Sequence, residues 1–209
     1  MELNDLQLDM LKEMGNIGAS HAATSLSQML MSEVDMTVPK VDVIDISQIS
    51  EYFGEDISAV VVFEIQGEVQ PAGYVVYHVP KSSAIRLSNT MFGTTDEDRE
   101  LNELDESAIT EVGNIMISHF LDATAELLGI VMLPSPPMLA IDMAHAAFEN
   151  ILAQVAVDIN EIILFSTELK SKNNDIESTV IMLPYDDTLH HILELLNNLI
   201  NPDIGGGTA

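Results

Sequence analysis

The chain has 209 residues, 47% of them hydrophobic, enough to bury a core as one domain or as a tightly fused pair and too apolar for a disordered chain. Its 34 acidic residues against 7 basic ones give a net charge of −27, which leaves few cations for binding DNA or RNA through counterion release. No cysteine is present, which excludes disulfides, zinc ribbons and thiol catalysis and favours a reducing compartment. No apolar run reaches the roughly 18 residues of a bilayer span, since "IVMLPSPPMLAIDMA" is broken by Pro134, Pro136 and Pro137. "MELNDLQLDM" lacks the basic start of a secretory signal, so a cytoplasmic location is expected.

In chain order, Leu6, Met10, Met14 and Ile17 fall at helical spacing and predict a long first helix. A turn-rich stretch then leads to "VPKVDVIDI", followed by the less regular "DISQISEYFGED". "ISAVVVFEIQGEV" and "AGYVVYHVP" are β-branched and aromatic, and Gln70-Pro71 between them predicts an antiparallel pair. Pro80 stops the second strand, and "SSAIRLSNTMFG" predicts a short helix. The acidic linker "TTDEDRELNELDE" leads to a second long helix with Leu104, Ala108, Val112 and Ile115 in helical register. "PPMLAIDM", a helix over "MAHAAFENILAQVA", strands over "EIILFSTELK" and "STVIMLP", and a helix over "DDTLHHILELLNNL" complete the ordered chain. The tail "NPDIGGGTA" is expected to be flexible.

Two phrases organise this series. "EMGNIGASHAATSLSQML" from Glu13 and "EVGNIMISHFLDATAELL" from Glu111 share their glutamate, glycine, Asn-Ile and Ser-His in register, 98 positions apart. Two copies are too few for a solenoid, so pseudo-two-fold duplication within one domain is expected. The halves span about 1–100 and 101–200, with 201–209 as the tail. Residues 1–100 and 101–209 carry 17 acidic residues each, as duplication would leave them. The expected fold class is α+β: an antiparallel sheet of about six strands shared by both halves, with two long helices laid on it.

On the first helix Asp9, Glu13 and Asn16 lie on one face, away from the apolar stripe; Ser107, Glu111 and Asn114 repeat the spacing. Gly15 and Gly113 sit inside these helices, where glycine costs about 1 kcal/mol relative to alanine. They therefore imply a close approach, either of another helix or of a ligand. The spacing Asp9-x3-Glu13-x2-Asn16-x22-Pro39 recurs as Ser107-x3-Glu111-x2-Asn114-x22-Pro137.

That D/S-x3-E-x2-N-x22-P pattern, twice over, resembles the signature of the CheC, CheX and FliY phosphatases of chemotaxis. The resemblance covers nearly the whole chain, and two intact copies match CheC better than CheX, which keeps one. It implies that the substrate is a phosphorylated response regulator, CheY, bearing an acyl phosphate on an aspartate. An acyl phosphate is already activated, so the enzyme need only place water in line and stabilise spreading charge. Asn16 and Asn114 would orient the water, and Glu13 and Glu111 would dock a lysine of the regulator. Gly15 and Gly113 would keep bulk away from the phosphate, while Asp9, Ser107, Pro39 and Pro137 would support the helices and the turns after them. The chain is expected to need no cofactor or metal of its own, Mg²⁺ belonging to the regulator. The resemblance also implies docking of the receptor deamidase CheD on "LAIDMAHAAFENILAQ", with Asp142 as an acidic contact. Internal pseudo-symmetry already pairs the halves, so a monomer is expected outside such complexes. The alternative is an adaptor that binds CheD or the phosphorylated regulator and hydrolyses little.

His21 and His119 recur five residues after each Asn, about 140° away around a helix, and are expected in the core or an interface rather than in catalysis. His190-His191, His78 and His145 show no metal-ligand spacing. Met116 and Ile117 replace Gly18 and Ala19 in the second copy, so its surroundings are expected to be bulkier and the two sites to differ in rate.

Overall fold

The structure is a computed structural model and describes residues 3–45, 53, 55–68, 72–155 and 161–200. The irregular stretch after residue 45 and the tail after residue 200 fall largely or wholly outside these residues. In chain order the elements are α1 (Asp5–Leu30), β1 (Val34–Met36), β2 (Lys40–Asp45), β3 (Ile57–Gly67), β4 (Gly73–Pro80) and α2 (Lys81–Phe92). The second half repeats them as α3 (Glu103–Leu128), β5 (Met132–Pro134), β6 (Met138–Met143), α4 (Ala144–Val155), β7 (Glu161–Ser171), β8 (Ile176–Pro184) and α5 (Asp186–Ile200).

The long helices start by the same chemistry. Asn4 Oδ1 accepts from the Gln7 backbone N–H while Gln7 Oε1 accepts from that of Asn4, at 2.9 and 3.0 Å. Asn102 and Asp105 form the same reciprocal box at the start of α3. Each box satisfies donors that a helix start leaves unpaired. Both helices end on a left-handed residue: Gly129 with φ 68° closes α3, and Met31 with φ 48° closes α1. A methionine there carries a steric cost of about 1–2 kcal/mol that glycine avoids.

Among the described residues all strand pairings are antiparallel, and eight strands fill six positions across one curled sheet. The order is β1 and β2 together, then β7, β8, β4, β3, and finally β5 and β6 together. The halves therefore exchange strands: the strands after α1 pair with the hairpin of the second half, and those after α3 pair with the hairpin of the first. The registers superpose. Val41 pairs with Phe165, and Leu139, its counterpart 98 positions on, pairs with Val61. Val61 also pairs with Tyr77, and Phe165 with Met182. Val76 and Ile181 are then equivalent and are themselves paired, so the pseudo-two-fold axis passes between them.

β3 is buried continuously from Ser58 to Phe63, because both faces of the sheet are covered. On one face Val61, Phe63 and Tyr77 pack beneath Leu11, Met14, Leu26, Ile109, Met116 and Leu121 of the long helices. On the other, Val60, Val62, Val76, Leu164 and Ile181 form a smaller core with Phe148 of α4, whose ring stacks on Phe53 at 3.6 Å between centroids. The linker between halves is tied down by Arg99, which chelates the fully buried Asp105 carboxylate and also donates to Asn89 Oδ1. Burial alone would raise the Asp105 pKa. Hydrogen bonds from Arg99, Ser88 and the Asn102 backbone outweigh that and hold it below the usual carboxylate value.

The two outer edges of the sheet have diverged. On the β5–β6 edge Val131, Leu133, Met138, Ile141 and Met143 are exposed hydrophobic residues. Ninety-eight positions earlier, Glu33, Asp35, Lys40 and Asp45 stand where Val131, Leu133, Met138 and Met143 do, so the β1–β2 edge is charged. Charged edges resist pairing with other chains, and apolar edges invite it.

His78 lies on the smaller-core face with its Nε2 buried and, among the described residues, without a hydrogen-bond partner, and burial pushes its pKa down to about 4. The unfolded chain takes up this proton near the ordinary value of about 6.5 and the folded one only near 4, so the contribution is full above pH 6.5 and is lost as pH falls through that window. Between pH 7.5 and 5 the loss is expected to be about 2 kcal/mol. Urea denaturation of His78→Phe at the two pH values should show a dependence weaker by about that amount; equal dependence in both proteins would exclude it.

Candidate functional site

The helical surface decides what the repeated motif can do. Asp9, Glu13 and Asn16 are all exposed on α1, and Ser107 and Glu111 are exposed on α3 with Asn114 half-buried. Residues three apart on a helix have Cβ atoms about 5–6 Å apart, so each Glu–Asn pair forms one contiguous polar spot. Among the described residues none of the side chains of Glu13, Asn16, Glu111 and Asn114 is engaged in a hydrogen bond or ion pair. Each Asn thus offers a free acceptor oxygen and a free amide donor beside a free carboxylate. Ser107 donates to the Glu103 carbonyl one turn back, and Asp9 stays in solvent.

The glycines have a different role from the one the motif suggests. Gly15 and Gly113 are buried and face inward, so they do not clear space for a ligand. A Cβ on Gly15 would stand 3.3 Å from Pro39 Cβ, and one on Gly113 would stand 3.1 Å from Tyr77 Cδ1 and 3.5 Å from Val61 Cβ. They let each helix settle onto what lies beneath it: the buried Pro39 in the first copy, the sheet in the second. Pro137 is half-buried and lacks the equivalent contact with Gly113.

The helix–helix approach falls to Gly18, where a Cβ would meet the Phe120 ring and Thr124 Oγ1 at 2.8 Å. A hydrogen bond of 2.7 Å between Ser25 Oγ and His119 Nδ1 also spans this seam. Ser25 donates to the His21 carbonyl, so His119 supplies the Nδ1 proton. His119 is therefore an interface residue, but both it and His21 are exposed, so neither belongs to the core. The repeat itself hid this seam. Phe120 and Thr124 correspond to Ala22 and Leu26, and His119 meets Ser25 where His21 would meet Ala123, so the contacts rest on residues that differ between copies.

The second copy is not bulkier at its surface. Met116 and Ile117 are fully buried and fill the core beneath α3, so the expected bulk lies away from Glu111 and Asn114. The visible differences between sites are the exposure of the asparagines and the exchange of Asp9 for Ser107. Among the described residues no cluster of three or more His, Asp or Glu side chains could hold a metal ion, and no helix is long and apolar enough to cross a membrane.

A duplicated α+β fold with an exposed Glu–Asn pair on each of two equivalent helices defines a class of protein with two helix-borne polar sites. The chain belongs to the CheC-like family, whose pattern matches residues 6–43 and 104–141, the two motif segments. It is 31% identical over 182 residues to the CheC1 protein of Halobacterium salinarum, covering 85% of this chain and 90% of that one. It is 27% identical over 201 residues to the CheY-P phosphatase CheC of Bacillus subtilis, covering 93% and 95%. The crystal structure of Thermotoga maritima FliY has the same fold, with a TM-score of 0.78 and 25% identity over 95% of this chain and 99% of that one.

Alanine at the two buried glycines removes the helix penalty of about 1 kcal/mol but forces contacts below. Gly113→Ala presses on the fully buried Tyr77 and is expected to lower the melting temperature by a few degrees, a net cost of about 1 kcal/mol. Gly15→Ala, pressing on one proline carbon, should be closer to neutral. Thermal unfolding of the two variants reads the difference directly, and a stabilised Gly113→Ala would exclude the assigned contact.

Proposed function

We propose that the chain hydrolyses the aspartyl phosphate of a CheY-type response regulator. The observation that carries this reading is the pair of exposed, uncommitted Glu–Asn spots at equivalent positions of α1 and α3. Glu13 or Glu111 docks a lysine of the regulator and brings Asn16 or Asn114 over the acyl phosphate. The Asn oxygen accepts a hydrogen bond from a water held in line with the P–O bond to the regulator's aspartate, and its amide donates to a phosphoryl oxygen. The water oxygen bonds to phosphorus, the P–O(Asp) bond breaks, and a carboxylate and inorganic phosphate leave, the water's proton passing to phosphate and solvent. The leaving carboxylate needs no general acid, which suits a site without titratable histidine. Mg²⁺ belongs to the regulator, where it neutralises phosphoryl charge.

Phosphate release from the phosphorylated regulator with Mg²⁺ present tests this. The double variant Asn16→Ala/Asn114→Ala is expected to lose about 100-fold of the acceleration while keeping its melting temperature. The single variants should lose unequal shares, because the two asparagines differ in exposure. Full activity in the double variant would remove the assignment.

The apolar β5–β6 edge supports a second element of the reading, docking of a CheD-type deamidase on β6 and α4. Asp142 is exposed on β6, and its carboxylate accepts from the Met143 backbone N–H, immediately before α4 begins. Exposed Ile141 and Met143 flank it along the strand, and an apolar cavity of about 150 Å³ lies further along β6, lined by Val62, Tyr74, Met138 and Ala147. Asp142→Lys should weaken capture of the cognate deamidase at least tenfold in a titration with the purified partner and leave phosphate release by the chain alone unchanged. Unaltered affinity would take Asp142 out of the interface.

A further inference from the structure

Each polar spot is complete on one helix. Asp9, Glu13 and Asn16 all belong to α1, and Ser107, Glu111 and Asn114 all belong to α3, so neither site borrows a side chain from the other. The pseudo-two-fold axis, running through the Val76–Ile181 pair, places the two helices side by side on one face of the sheet and in opposite directions. Their seam is marked by Gly18 against Phe120 and Thr124, and by Ser25 against His119.

The seam also fixes where the asparagines point. At 100° per residue, Gly18 and Ser25 lie about 160–180° around α1 from Asn16, and His119, Phe120 and Thr124 lie about 140°, 120° and 80° around α3 from Asn114, centred on its far side. The two asparagines therefore open onto opposite flanks of the helix pair. Each lies about five residues before the middle of the crossing, which separates them by about 15 Å along antiparallel axes. Helices about 9 Å apart with side chains projecting outward add about 20 Å across. The sites are then about 25 Å apart and face away from each other. A compact single-domain regulator has a radius of gyration of about 13–14 Å, or roughly 35 Å from side to side. Two such bodies seated on outward-facing flanks have centres well beyond that distance.

We infer that the chain holds two phosphorylated regulators at once, one on each flank, and that the two sites turn over independently. The inference rests on the reading of the Glu–Asn spots in the preceding section. It makes the duplication a doubling of capacity rather than a reserve copy that a first regulator would block.

The experiment measures the mass of complexes between the full chain and its cognate CheY-type regulator, held in the phosphorylated conformation by beryllofluoride and Mg²⁺. Wild type is expected to saturate at two regulators per chain, Glu13→Lys and Glu111→Lys at one each, and the double variant at none. Saturation of wild type at one, with each single variant also binding one, would show mutual exclusion and overturn the inference. Saturation at one, with a single substitution abolishing all binding, would leave only one working spot and overturn it too. In both of those outcomes phosphate release by wild type would still stand, so the proposed hydrolysis survives. No binding and no phosphate release from wild type would remove that reading and this inference together.

Discussion

The exchange of strands between halves is the constraint on which the rest of the structure depends. β2 completes the hairpin of the second half by pairing from Lys40–Ser166 to Asp45–Glu161, and β6 completes that of the first by pairing from Met138–Val62 to Met143–Ile57. Neither half can close its sheet alone, so the two copies cannot drift apart or reorient. Because each exchanged strand follows directly from a long helix, the exchange also sets where α1 and α3 lie. The carboxylates and carboxamides they carry are positioned by a backbone ladder that none of them touches.

The helix seam is the second consequence. With α1 and α3 drawn over one face of a shared sheet, the space between them is set by the register below. Gly18 is the residue that lets them meet, since any side chain there would run into Phe120 and Thr124. The close approach pulls the apolar residues of both helices down onto Val61, Phe63 and Tyr77. It also leaves the Glu–Asn faces turned outward, because no further layer covers them. Exposure of the Glu–Asn pairs follows from packing: the helices have one buried side against the sheet and one against each other.

Much of this was legible in the sequence. Helical periodicity in Leu6–Ile17 and Leu104–Ile115, β-branched runs around Gln70-Pro71, and the 98-residue offset locate both long helices and both hairpins. The identity of the motif residues placed Glu13, Asn16, Glu111 and Asn114 together on two helix faces. The exchange of strands was not legible, because β2 and β6 are short and pairing partners 76 to 126 residues away leave no local pattern. The glycines misled for a related reason. A buried glycine and a ligand-facing glycine look alike in a sequence, and only the position of Pro39, Val61 and Tyr77 separates them. The bulk of Met116 and Ile117 likewise pointed inward once the helix was set on its sheet.

Pseudo-symmetry also sorts the residues by what the fold requires of them. Where both copies need the same backbone, both keep the same device, as in the capping boxes at Asn4 and Asn102. Where packing alone is at stake the copies diverge freely, Gly18 answering to Met116 and Ala22 to Phe120. The β1–β2 edge proves that this architecture tolerates Glu33, Asp35, Lys40 and Asp45 on a terminal strand. The fold therefore does not call for the exposed Val131, Leu133, Met138 and Met143 on the opposite edge. The same comparison read in reverse applies to the Glu–Asn spots. Side chains that make no hydrogen bond or ion pair among the described residues are free to change, yet the Glu and the Asn are the same in both copies while Asp9 answers to Ser107, Met14 to Val112 and Gly18 to Met116. Retention without a structural reason, on one face of each helix, and apolarity without a structural reason, on one edge of the sheet, are the two features on which the proposed regulator sites and the proposed docking edge rest.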